Sequence, residues 1–288
     1  MRIASVILCI AGAAFAQGGT PPGGTTSTTV TYYAIYTLNG GTATQSNQSY
    51  SASGADTSGV WVTNSGVLTL VNSIINTTGN SSSTDNSSFA GLNAGLLVTS
   101  GSATVTGGTI NTTGTGANGA FAYNTGSTLS LTNTTINATG DGGHAIMATG
   151  GAALTASNVN MNTTGGSASA VATDRGGGTI TVTGGIVNVT GNNSADIYST
   201  GNITVTGATM KSTGAETAVI EGANSITLNN TTLTTTMDKW GGRRAGDLRH
   251  RTGRDHDRRG ARTGVLGSIR DDQHANGVHR LRDGPRVV

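Results

Sequence analysis

The sequence predicts an all-β fold: a right-handed, single-stranded parallel β-helix, a three-sided solenoid of about seven coils, with a disordered basic C-terminal tail. Three observations point there. A Thr-Gly pair recurs at Thr78, Thr113, Thr139, Thr164, Thr190 and Thr213, at intervals of 35, 26, 25, 26 and 23 residues. A period near 25 residues without a helical pattern marks stacked strands. Each unit carries three short alternating runs, shown from residue 95 onward by GLLVTSG, ATVTGG and TINTTG, and three strands per turn make a three-sided coil. The composition agrees, with 46 Gly and 51 Thr among 288 residues against 4% aromatic and 10% charged. That is too apolar for a charged disordered chain and too poor in aromatics for an ordinary enzyme core.

The elements follow in chain order. Residues 1–16 read as a signal peptide: Met1-Arg2 is the basic start, an apolar run follows, and Ala14-Phe15-Ala16 offers the small residues of a cleavage site. A secreted, extracellular or cell-surface protein is expected. Leu8 precedes Cys9 where a lipoprotein signal wants a small residue, and the mature chain would hold no cysteine, so packing and backbone hydrogen bonds must carry the fold. Residues 17–30, with Pro21-Pro22-Gly23-Gly24, read as a linker, and 31–59 as an N-terminal strand and cap region opening on TYYAIYTL. The β-helix is expected over 60–241. Residues 80–91 (NSSSTDNSSFAG) lengthen the first interval and read as an inserted polar loop. No later apolar run approaches the length of a membrane span.

In the middle run the pairs Leu68/Leu70, Ala103/Val105, Leu129/Leu131, Leu154/Ala156, Ile180/Val182, Ile203/Val205 and Ile226/Leu228 are apolar, with Thr or Ser between them. Period 2 sends these pairs to one side, and stacked turns build a core no single turn could bury. Ile75, Ile110, Ile136, Met161, Val187 and Met210 form a second inward column in the third run. Smaller residues follow two places later, from Thr77 to Ser212. Glycines are expected at the corners, where positive φ or close backbone approach is needed. Identical runs one coil apart pair in parallel, and such crossovers are right-handed.

On these runs the body, over about 60–240, resembles secreted right-handed β-helix proteins of the pectin-lyase-like fold, and within them adhesin-like surface proteins rich in Thr, Gly and Asn. The resemblance implies a non-catalytic surface protein that binds carbohydrate, cell wall or protein, with end-to-end self-association of rods as a further expectation. Its enzyme branch implies a polysaccharide lyase or hydrolase, whose lyases hold Ca²⁺ on an aspartate cluster beside a basic proton abstractor. Asp174-Arg175 with Glu221 two coils on is the nearest match, but the two acids fall one position apart in the repeat and need not share a face. Asp85, Asp141, Asp196 and Glu216 all follow the third run and could line one edge, which is thin for an ion wanting six to eight oxygens. His144 stands apart from other metal-type ligands. No catalytic, cofactor-binding or metal-ligating residue is therefore assigned, and no cofactor.

Two regular polar features remain. Asn76, Asn111, Asn137, Asn162 and Asn188 recur once per coil, each opening one of the chain's 13 Asn-x-Ser/Thr sequons, which would suit a glycoprotein. At about 5 Å apart they are too close for a glycan each, and a stacked amide ladder is expected. Thr-x-Thr pairs at Thr104/Thr106, Thr181/Thr183 and Thr204/Thr206, interrupted by Val71, Ser130, Ser157 and Asn229, raise ice binding as an alternative function.

Charge separates the last part of the chain. Residues 17–241 carry a net −5, whereas 242–288 carry 12 Arg and 6 Asp and only 2 of the 51 Thr. A nucleic-acid-binding tail would not mix so many acids with its arginines, and no nucleic-acid partner is expected. Residues 242–288 read instead as an out-of-frame translation of further coils. Read from the second base, Asp255-His256-Asp257-Arg258-Arg259-Gly260 can become Thr-Met-Thr-Gly-Gly, while Asp271 to His274 and His279 to Gly284 likewise restore Thr-rich strands. Resequencing the gene around the codons for Trp240-Gly241 is expected to place a frameshift there. Confirmed codons whose second-base frame lacks Thr-rich repeats would discard the idea.

Overall fold

The computed structural model describes residues 30–235 and two later strands, Arg249–His250 and Gly264–Arg270. The signal-peptide and linker segments and most of the basic tail lie outside the described residues. Within 30–235 the chain forms a parallel β-solenoid of about eight turns. Each turn supplies one strand to each of three faces, so like strands pair with the turns before and after. The first turn is Tyr33–Asn39 (β1), Thr42–Ser46 (β2) and Ser49–Ala52 (β3), and these pair in parallel with Thr57–Thr63, Gly66–Val71 and Ile74–Thr77 of the second. The ladder thus begins inside residues 31–59, ahead of Val60. In the eighth turn Ser225–Thr235 runs through the second and third faces as one strand. At roughly 4.8 Å per turn the stack is about 35 Å long.

The inward columns are those the alternation predicts. Leu68, Leu70, Ile180, Val182, Ile203 and Val205 on the second face, and Ile75, Ile110, Ile136, Met161, Val187 and Met210 on the third, are fully buried. Register keeps like on like, as in Ile180 against Leu154 and Ile203. The Thr-Gly repeat has a steric cause. A Cβ on Gly114, Gly140, Gly165, Gly191 or Gly214 would overlap the carbonyl oxygen of the glycine one turn before it. The corner between the second and third faces instead needs a left-handed residue. Asn72, Asn133, Asn158 and Asn230 take it at φ 48–52°, interchangeably with Gly107, Gly184 and Gly207, because Asn tolerates this region better than other non-glycine residues.

The insertion at 80–91 is not simply a loop, since it contains a helix, Thr84–Ala90 (α1). The Ser83 side chain caps it by accepting from the Asn86 amide at 3.2 Å, Asp85 sits in its first turn, and Gly91 ends it at φ 74°. Seven residues are too few to show periodicity in sequence. The segment folds over the outside of the first face, where Leu97, Phe121, Met147 and Ala172 point outward yet are 0% exposed. The Phe89 carbonyl accepts from Thr149 Oγ1 (2.7 Å), the Ala90 carbonyl from the Tyr32 hydroxyl (2.9 Å), and the Ser87 carbonyl from Asn118 Nδ2 (3.1 Å). The middle turns of the first face are therefore buried on both sides, whereas its first strand leaves Tyr33 and Ile35 exposed and the other two faces are wet.

At the C-terminal end two short strands of the tail pair with the last turns. Gly264–Arg270 pairs antiparallel with Ser225–Thr235, and Arg249–His250 pairs with Ala218–Ile220. An unpaired row of N–H and C=O groups is a template that any extended segment can satisfy.

Val182→Asp is expected to unfold several turns, because an unpaired buried carboxylate costs several kcal/mol. Thr181→Asp, one residue away on the outer surface, should lower the melting temperature only slightly. Thermal melts followed by far-ultraviolet circular dichroism compare the two.

Candidate functional site

The later turns form an open depression at the corner between the first and second faces. Gly176 (φ 82°) and Gly177 (φ 61°) turn the chain after Asp174-Arg175, with the Gly177 amide donating to the Asp174 carbonyl at 2.9 Å. Gly150-Gly151 makes the same left-handed turn one coil earlier. With no side chains on Gly151, Gly177, Gly178 and Gly201, a shallow space of about 350 Å³ opens, rimmed by Thr179, Thr200, Asn202 and Asn224.

The two acids picked out in the sequence border this corner and share one column. Ala172 pairs with Tyr198, and Ser199 with Ile220. Continuing that register sets Asp174, Thr200 and Glu221 on consecutive turns, so the two acids, which the repeat left free to differ in face, share one column. The phase depends on where the count starts, one position apart from Ile180 and Ile226 and two from the Thr-Gly pairs, because the corners vary in length: Ile197 lies six positions after Gly191, but its partner Ala218 lies four after Gly214. Two turns part the carboxylates by about 10 Å. Burial raises the Asp174 pKa above the usual carboxylate range, opposed by the Arg175 amide at 2.7 Å and its guanidinium and reinforced by Glu221 and Asp85. The Arg175 guanidinium lies 3.9 Å from the centre of the Phe89 ring. The insertion thus contributes Phe89 and Asp85 to the site, which a reading of 80–91 as a polar loop missed.

The remaining acids do not form one edge. Asp85 is on α1, Asp141 accepts the Gly166 amide at 2.7 Å, and Glu216 is half-buried. Asp196 is 0% exposed, with no hydrogen-bond partner for either carboxyl oxygen. It occupies the position just before the inward residue Ile197, where neighbouring turns carry Ala145 and Ala170. Burial holds its pKa well above the usual value. Among the described residues no group of three or more His, Cys, Asp or Glu could hold a metal ion. His144 is buried, its Nδ1 donating to the Ser169 carbonyl at 3.0 Å and its backbone amide to Asn118 Oδ1 at 2.9 Å. Burial lowers its pKa to about 4. It is a neutral structural group.

On the third face the asparagine column is a continuous amide ladder. Asn111, Asn137, Asn162 and Asn188 each donate from Nδ2 to Oδ1 of the preceding asparagine, beginning at Asn76, at 2.9, 2.8, 2.9 and 3.1 Å. These four amides are hydrogen-bonded along the rod, which accounts for the recurrence without a ligand.

Comparison with protein-family models, with known proteins and with solved structures found no match to this chain.

Opposite pH responses are expected from the two buried groups. His144, depressed from 6.5 to about 4, contributes stability that is complete above pH 6.5 and lost as pH falls toward 4, on the order of 3 kcal/mol in all. Asp196, raised from 3.8, contributes most below pH 3.8 and loses that contribution as pH rises through its folded pKa. Asp196→Ala should therefore melt above wild type at pH 7, by roughly 1–3 kcal/mol. The gap should narrow as pH drops toward 3.8, and the variant should keep the acid-side loss due to His144. Melting temperatures between pH 3.5 and 8 test both signs.

Proposed function

We propose that this is an exported, non-catalytic, adhesin-like surface protein that works by contact with carbohydrate at a cell wall or cell surface. The observation that carries the reading is the glycine-floored polar depression on a rigid frame. Carboxylates at Asp174 and Glu221 accept from sugar hydroxyls, the Arg175 guanidinium donates, and Asn202 and Asn224 do both. The bare glycine floor admits a flat ring close to the backbone, and the half-buried Tyr198 ring offers an apolar surface on the turn after Ala172. In a stacked solenoid these groups are held in place before binding, which lowers the entropic cost of contact.

A second reading, hydrolysis of a bound polysaccharide, is favoured by the raised pKa of Asp174 together with its distance from Glu221. About 10 Å lies just beyond the roughly 6.5–9.5 Å of inverting carboxylate pairs. One experiment separates the readings: the full chain on a glycan array that includes polyuronates, followed by product analysis of whatever is retained. Retention without cleavage, weakened about tenfold or more by Arg175→Ala through loss of a charged hydrogen bond, is the expected result. Cleavage abolished by Asp174→Asn would establish the hydrolase. Failure to retain any glycan would remove the contact reading.

A further inference from the structure

The central column of the second face is a feature that the carbohydrate reading does not use. The eight strands of this face pair in register from Thr42–Ser46 to Ser225–Thr235, so their outward positions form three columns running the length of the stack. The central column is threonine at seven of its eight rungs, from Thr44 through Thr104 and Thr181 to Thr227, and serine at Ser130. The flanking columns are mostly threonine and serine, with Val67, Val71, Ala153, Asn202 and Asn229 as the other residues. No charged or aromatic side chain belongs to any of the three among the described residues.

The hydroxyls of the central column are also unengaged. Corner threonines such as Thr134 and Thr231 donate to backbone carbonyls at 3.1 Å. Those of the central column have no protein partner among the described residues. Each central threonine therefore presents a hydroxyl and a methyl to solvent. Its β-branch restricts χ1, and like residues above and below it repeat the same environment.

From these observations we infer that the second face binds ice. Rungs repeat about every 4.8 Å along the rod, and columns lie about 6.6–6.8 Å apart along each strand. This two-dimensional net lies close to the spacing of oxygen atoms on a prism plane of hexagonal ice. Methyl groups deny liquid-like hydrogen bonds to the water between columns, while the hydroxyls anchor waters at lattice points. The absence of charge suits this ligand, because an ion's hydration shell would disrupt the net. A crystalline polysaccharide would instead find no aromatic platform here. The inference stands on the central column, which the carbohydrate depression does not touch, although the two share Thr179 and Asn202 of one flanking column, so either can fail alone.

The test is thermal hysteresis and ice-crystal habit, measured with the full chain, wild type and three variants. Thr181→Tyr and Thr104→Tyr place a bulky β-former in the central column. Thr135→Tyr does the same on the outside of the third face. Circular dichroism confirms equal folding, and only variants that match wild type are compared. Wild type should facet growing ice and hold a freezing gap, Thr135→Tyr should keep both, and either central variant should lose them. Unfaceted growth with wild type overturns the inference. So does a gap that survives both central substitutions, or one that Thr135→Tyr removes equally. Pelleting with crystalline chitin or cellulose that Thr181→Tyr abolishes, without faceting of ice, would assign the face to polysaccharide and equally overturn it.

Discussion

Parallel in-register pairing of one turn with the next governs this molecule. Once a strand is hydrogen-bonded to its copy, every side chain stands over the residue at the same place one turn away. Inward positions must then be apolar at every level, and corner positions must suit a backbone that nearly touches the one beneath it. Even the polar surface is drawn into rows, because amides and hydroxyls about 4.8 Å apart meet their own kind. The asparagine ladder, the threonine column and the glycine stack follow from this single constraint applied to three residue types.

What was legible in the sequence is what this constraint repeats. The inward pairs such as Ile180/Val182 and Ile203/Val205, the third-run column from Ile75 to Met210, and the asparagine ladder each occur many times, so periodicity exposes them. What happens once was hidden. The seven-residue helix is too short to show a period, although Ser83 followed by Asp85 is a capping signal. The outward apolar column Leu97, Phe121 and Met147 makes sense only once that helix covers it. Asp196 looked like another corner acid because nothing in linear sequence says that the corner before Ile197 turns its side chain inward. The left-handed asparagines were legible in principle, since Asn and Gly alternate at one repeat position.

The candidate site shows the same division at smaller scale. Asp174, Arg175 and Glu221 stood out because charges are rare in the body, yet their alignment depended on a corner shortened by two residues before Ala218. Counting along the chain assigns a phase to each turn. Hydrogen bonding reassigns it, because the strands realign on their apolar faces and the corner absorbs the difference. The register of a solenoid site is therefore better taken from its inward columns than from its glycines.

The three faces differ in what they leave available. The first is closed over its middle turns by α1 and its flanking segments, which cover the apolar outer column from Leu97 to Ala172 and bring Phe89 beneath Arg175. The third bonds its ladder asparagines, Asn76 to Asn188, to one another along the rod. The second is the one whose central row keeps its hydrogen-bonding groups free toward solvent. Where the first and second faces meet, glycines remove side chains from the corner and leave a rim of threonines and asparagines. The two proposed contacts lie where the repeat presents polar groups to solvent, along the second face and at its junction with the first. A stack that fixes both surfaces by its own pairing needs no moving part to present them, which is why contact fits this architecture better than a cycle of conformational change.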